Sequence, residues 1–172
     1  MTIDEINDLD QEAFVGALGS LFEGSPWIVA EAWRRRPFDS IAHLHSALCA
    51  VMYHASTERQ VALIRAHPDL VGKAALAGTL TPESTREQSS AGLDRPSAEE
   101  IATFTRLNQA YKDKFGFPFV ICARQNKKDS ILAGFARRLD NSRAEEIAAA
   151  LGEIAKISYL RLLDKVATED QS

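Results

Sequence analysis

The stretch FDSIAHLHSALCAVMYHASTERQVALIRAHPDL, residues 38–70, reads as two helices in tandem. Ile41, Leu44, Leu48, Val51 and Met52 recur at the helical period and form one apolar stripe. Asp39 or Ser40 supplies the first N-terminal cap. Ser56 or Thr57 caps ERQVALIRAH, which must end near His67 because Pro68 disfavours the helical region for the residue before it. The alternation of a strand is absent from both segments.

The same punctuation runs outward. Asp10 starts QEAFVGALGSLF, with Phe14, Val15, Leu18, Leu21 and Phe22 at helical spacing. Gly24-Ser25-Pro26 closes that helix and opens the next, since proline suits a first turn, and Pro37 ends it. Thr81-Pro82-Glu83 is a further start: hydroxyl, proline, acid. Ser97 followed by Glu100 forms a capping box at the head of a helix reaching about Phe115. FGFPFVICA, residues 115–123, carries no charge and contains Pro118, so a buried, partly extended segment is expected. Asp129-Ser130 starts ILAGFARRL, and a last helix spans about Ser142 to Val166. The fold class that follows is all-α: a single-domain bundle over residues 1–172, with about eight helices and one short extended buried segment.

The totals agree. The chain has 172 residues, 45% hydrophobic and 26% charged, which is ordinary globular usage. The net charge of -4 argues against a nucleic-acid partner. Arg34-Arg35-Arg36 reads as a helix end that favours cations, with phosphate binding as the alternative. Cys49 and Cys122 sit among apolar neighbours and form no CxxC pair, so free buried thiols are expected. No run approaches the ~18 apolar residues that span a bilayer. The acidic start MTIDEINDLD lacks the apolar core of a secretory signal. The ending TEDQS carries no peroxisomal address. A soluble cytoplasmic protein is the expectation.

Four histidines are candidates for chemistry. His43 and His45 are two apart on one helix and point in different directions, and His54 lies three turns from His43. Hydrogen-bonded or partly exposed structural histidines fit better than a metal site. His67 differs: it stands at a helix end with its direction constrained by Pro68. It reads either as a cap for its own helix or as a general acid–base, for which its ordinary pKa near 6.5 is suited. Ser84, Glu87, Gln88 and Ala91 share one helical face, as a ligand-reading cluster or as a plain solvated face. Arg161 can snorkel, pair with Asp164, or bind a carboxylate with its fork of donors. No nucleotide, serine-hydrolase or zinc motif is present.

HPDLVGKAALAGTLTPESTREQSSAGLD, residues 67–94, resembles the signature of the 2-oxo-4-hydroxy-4-carboxy-5-ureidoimidazoline (OHCU) decarboxylases. FDSIAHLHSA, LNQAYKDKFGFPFVICARQNKKDSILAGFARRL and EIAKISYLRLLD extend the likeness from about Phe14 to Leu163. The resemblance implies an all-helical homodimer with no metal or organic cofactor. It implies loss of CO2 from a small-molecule substrate, OHCU, to give (S)-allantoin in urate breakdown. Its catalytic positions match His67, Glu87 and Arg161. Its substrate-binding positions match Pro68, Ser84, Gln88 and the backbone of Phe119, Val120, Ile121, Cys122 and Ala123. Small residues such as Gly72, Ala74 and Ala75 are expected to pack closely beneath such a site. The alternatives are a non-catalytic helical module that binds a purine-derived ureido ligand and a metal hydrolase built on His43, His45 and His54.

Overall fold

Side-chain caps set most helix starts where the sequence puts them. In the computed structural model, which describes residues 1–166, α2 (Gln11–Leu18) is capped by Asp10, α4 (Ile41–His54) by Ser40 and α5 (Thr57–Arg65) by Ser56. Thr81 caps α7 (Pro82–Ser90), and Ser97 with Glu100 closes the capping box of α8 (Ala98–Phe115). Each cap supplies an acceptor to an N–H that has no partner inside the helix. The remaining helices are α1 (Ile3–Asn7), α3 (Pro26–Ala32), α6 (Lys73–Ala77), α9 (Lys128–Arg138) and α10 (Arg143–Lys165). Three 3-10 turns, Gly19–Leu21, Trp33–Arg35 and Ala123–Gln125, complete the list of regular elements. The described residues contain no strand, and the all-α expectation holds. The polar ending Thr168–Ser172 lies outside the described residues.

The described residues form ten helices, against the expected eight or so. The two additions, α1 and α6, are five residues each, too short to show a period. α2 stops at Leu18 and tightens into a 3-10 turn rather than running to Phe22. α9 begins at Lys128, ahead of the expected Asp129-Ser130 cap. Asp129 sits inside the first turn, where a carboxylate favours the helix dipole just as well. Arg36, read as one of a cationic helix end, instead lies 3.9 Å over the Trp33 ring and donates to the Asn7 and Leu9 carbonyls.

The contacts divide the chain into two units, with both boundaries at or inside helical segments. The first comprises Met1–Ala66 and the chain from Ala155 on. There α3 packs on α2 and on α4. Its core is Phe14, Phe22, Ile28, Phe38, Leu44, Leu48 and Met52.

The second unit is His67–Ile154. Its centre is aromatic: Phe119 and Phe135 stack with ring centroids 3.8 Å apart, and Tyr111 meets the rings of Phe115, Phe117, Phe119 and Phe135. Gly116, at φ 79, ends α8 in the left-handed conformation that glycine takes without cost. Residues 117–123 are then buried throughout. They run over α9 at Gly134, where a Cβ would already stand 3.5 Å from Phe119 and 3.6 Å from Ile121. The expected close packing under the small residues fails at α6, which has no buried residue. Gly72 is required for a nearer reason: a Cβ there would come within 2.6 Å of the Asp69 Cβ.

Phe135 is fully buried between Phe119 and Phe104. Phe135→Ala is expected to cost about 3–5 kcal/mol, read as a lower urea midpoint.

Candidate functional site

In the second unit, one loop and one helix face carry most of the expected site. His67 lies two residues past the end of α5 and is buried. The chain that follows it, Asp69-Leu70-Val71, is gripped at every residue. Gln88 Oε1 accepts from the Val71 N–H at 3.1 Å, and Gln88 Nε2 donates to the Asp69 carbonyl at 3.3 Å. Asn108 Nδ2 donates to the Leu70 carbonyl at 2.8 Å, and Lys112 Nζ pairs with Asp69 Oδ2 at 2.6 Å. The grip answers a strain. Val71 has φ 51, a region that costs a β-branched residue about 1–3 kcal/mol and persists only where its surroundings enforce it.

The face expected on α7 is real, and it is not solvated. Ser84, Glu87 and Gln88 are 4%, 9% and 5% exposed, with Ala91 buried beside them, while Thr85, Arg86, Ser89 and Ser90 face water. Burying a hydroxyl, a carboxylate and a carboxamide together is costly unless partners meet them. Gln88 spends one donor and one acceptor on the loop and keeps one of each. α7 also packs on the Ala123–Gln125 turn, and Lys127 Nζ donates to the Ser90 carbonyl, 3.0 Å away. The second unit therefore joins three of the expected parts: the loop opened by His67 and Pro68, the Ser84–Gln88 face, and the segment Phe119–Ala123.

That segment is arranged by a group the sequence reading missed. Arg138, on α9, is 6% exposed. It donates from NH1 to the Val120 carbonyl at 2.6 Å and from Nε to Glu146 Oε1 at 2.7 Å. Glu146, fully buried, also accepts from the Tyr111 hydroxyl at 2.5 Å and from Asn141 Nδ2 at 2.9 Å. Burial and the Glu146 carboxylate push the Tyr111 hydroxyl well above its ordinary pKa, so it stays a donor. The helical spacing of Arg138 resembled any basic helix end. Only the fold shows it turned inward.

Arg161 belongs to the first unit and is buried. It neither snorkels nor lies on a half-wet face. NH1 donates to the Ser20 carbonyl at 3.0 Å and stands 3.4 Å from Glu23 Oε2, a buried ion pair that local sequence did not suggest.

The other three histidines have structural settings. His43 Nδ1 accepts from the Asp39 N–H at 3.0 Å, and His54 Nδ1 donates to the Ala50 carbonyl at 2.7 Å. His45 Nε2 lies 2.9 Å from the Ala155 carbonyl, which makes Nε2 the protonated nitrogen. Cys49 is half-buried rather than fully so. Its Sγ is 3.3 Å from His45 Nε2, and burial pushes its thiol up to about 11. Among the described residues no group of three or more His, Cys, Asp or Glu is placed to hold a metal ion. A cavity of about 280 Å³ opens beside the loop, lined by apolar residues such as Val71, Leu76 and Leu93 and by polar ones such as Gln88, Ser89 and Asp94. Gln88 lines it, whereas His67 and Glu87 do not.

Known proteins resemble this chain over nearly its whole length. A family model described as OHCU decarboxylase matches residues 7–163. A 2-oxo-4-hydroxy-4-carboxy-5-ureidoimidazoline decarboxylase of Haloferax volcanii is 40% identical over 169 residues, 98% of each chain. The crystal structure of an (S)-allantoin synthase superposes with a TM-score of 0.74 at 27% identity. It covers 99% of this chain, which spans 55% of that longer one. An OHCU decarboxylase crystallised in the presence of (S)-allantoin superposes with a TM-score of 0.69, covering 91% of this chain and 97% of that one. At 24% identity, that likeness speaks to the fold.

Burial lowers the His45 pKa below 6.5. The unfolded chain then binds the His45 proton more tightly than the folded one. Stability is unaffected above pH 6.5 and falls as the pH drops below it. Urea midpoints for His45→Gln are expected to fall less steeply between pH 7 and 5 than those of the unsubstituted protein.

Proposed function

The chain belongs to the OHCU decarboxylase family, and on that premise we propose that it removes CO2 from OHCU and releases (S)-allantoin in urate breakdown, with no metal or organic cofactor. The observation that carries the reading is the buried polar face of α7, tied through Gln88 to the loop that His67 opens. A helix face that gathers a hydroxyl, a carboxylate and a carboxamide out of bulk water can present both donors and acceptors to a polar ligand. OHCU is such a ligand: it carries a carboxylate, a hydroxyl, a ring amide and a ureido arm.

The chemistry divides among the proposed groups as follows. The bond from the ring carbon to the carboxylate breaks, CO2 leaves, and the electron pair stays on the ring. One face must then receive a proton, which His67 is suited to carry at neutral pH. Glu87 accepts from the ureido nitrogens. Arg161 holds the anionic substrate and the negative charge that develops. A planar guanidinium matches a carboxylate with paired N–H donors in fixed geometry. Pro68, Ser84, Gln88 and the backbone of Phe119–Ala123 bind the rest of the ligand. The family match over residues 7–163 supports the chain acting as one functional domain.

The reading extends to a soluble, cytoplasmic homodimer. No helix among the described residues is long and apolar enough to cross a membrane. α4 contains no Asp, Glu, Lys or Arg, yet Tyr53 on it is 49% exposed. Tyr159 on α10, 38% exposed, lies 5.0 Å from the α4 residue His45, and Leu163 follows one turn on at 36%. A solvated helix face normally carries charge. The exposed aromatic and apolar side chains of Tyr53, Tyr159 and Leu163 suit burial against a second copy of the chain.

In a mixture with urate oxidase and hydroxyisourate hydrolase, the protein is expected to accelerate OHCU consumption. His67→Asn should abolish that acceleration while keeping its helical circular dichroism. An unimpaired variant removes His67 from the mechanism. For the dimer, light scattering should give twice 18.9 kDa, reduced to one chain by Tyr159→Glu/Leu163→Glu. A double variant of unchanged mass rules this face out.

A further inference from the structure

We propose that Arg138, held in place by Glu146, is a positioning residue that aims the backbone of Phe119–Ala123 at the ligand. The inference rests on the reading of that segment as part of the substrate site and adds the device that orients it.

Four contacts fix the guanidinium. Nε meets Glu146 at 2.7 Å, NH1 meets the Val120 carbonyl at 2.6 Å, NH2 meets the Tyr111 hydroxyl at 3.5 Å, and the group lies 4.3 Å over the Phe119 ring. Glu146 is itself immobilised by Tyr111 and Asn141, so the arm that reaches Val120 starts from a rigid base. The consequence follows from the peptide plane. The Val120–Ile121 peptide bond is trans. In a trans peptide the carbonyl and the next N–H point in opposite directions. With the Val120 carbonyl committed to Arg138, the Ile121 N–H is turned away from the buried network. One residue on, the Cys122 carbonyl accepts from the Gln125 N–H at 3.1 Å and from Asn126 Nδ2 at 2.9 Å, which sets the Ala123 N–H in the same manner. The segment thus offers backbone donors in directions that its own carbonyls cannot occupy.

Stability alone does not account for the device. Phe104, Tyr111, Phe119 and Phe135 already form a dense core. A buried ion pair is often no more stabilising than apolar residues of the same volume. What a charged, two-armed donor adds is direction: it can bind a carboxylate and a carbonyl at once in fixed geometry.

The test separates direction from stability. Arg138→Met alone strands the Glu146 carboxylate without its cation and lowers Tm. Arg138→Met/Glu146→Gln removes both charges and is expected to regain most of that Tm. Its KM for OHCU generated in the coupled mixture should stay raised by roughly tenfold, while kcat changes far less, the pattern of lost binding rather than lost chemistry. Arg138→Lys provides a second route. An ammonium balances Glu146 but lacks the planar fork that sets the carboxylate and the Val120 carbonyl in one fixed geometry, so a rise in KM is expected in a folded protein. A KM that recovers together with Tm, or that is unchanged in Arg138→Lys, overturns the inference. A wild-type protein that does not turn over OHCU overturns the functional reading instead, and the two failures are told apart in one assay.

Discussion

The two hydrogen bonds of the Gln88 carboxamide to the chain at Asp69 and Val71 are the constraint on which the candidate site depends. Carboxamides suit this task because one group both donates and accepts, so it can close on a strand of backbone from the side. The loop it closes on holds a β-branched residue at φ 51, which an unrestrained chain would leave. Asn108 and Lys112, one turn apart on α8, reinforce it at Leu70 and Asp69. The loop between the buried His67 and α6 thereby has little freedom. A proton-transfer group is useful only when it meets the reacting atom at the right distance, so a rigid loop of this kind is what such a residue needs.

The second constraint is electrostatic. Charge and polarity buried in a helical unit must be met by partners, and the structure does so in separate, closed groups. Glu146 satisfies Arg138, Tyr111 and Asn141. Asp69 satisfies Lys112. In the first unit, Glu23 stands beside Arg161. The backbone segment 119–123 shows why this matters for binding: with the Val120 and Cys122 carbonyls spoken for inside the protein, the Ile121 and Ala123 N–H groups acquire fixed directions.

How much of this could be read from the chain depends on range. Caps are local, and Asp10, Ser40, Ser56, Thr81 and Ser97 all stand where their chemistry puts them. The burial of residues 117–123 followed from their lack of charge. α1 and α6 were missed because five residues do not make a period. The α7 face was ambiguous in principle, since Ser84, Glu87 and Gln88 look alike in water and in a core. Arg138 and Glu146 were invisible for the same reason: an arginine at a helix end and an acid in a first turn have ordinary surface readings, and what pairs them is tertiary. Arg161 with Glu23 joins residues far apart in the chain. Local spacing carries no trace of such a pair: it left Arg161 open between snorkelling, Asp164 and a carboxylate, and the family resemblance set it among the catalytic positions.

The central claim is that the protein delivers a proton to one face of a decarboxylated ring. The enantiomeric composition of the allantoin formed in the coupled mixture with urate oxidase and hydroxyisourate hydrolase tests it most directly. The account predicts (S)-allantoin in large excess, with optical activity that disappears when the protein is left out. Racemic allantoin, formed at the same rate with and without the protein, would contradict it.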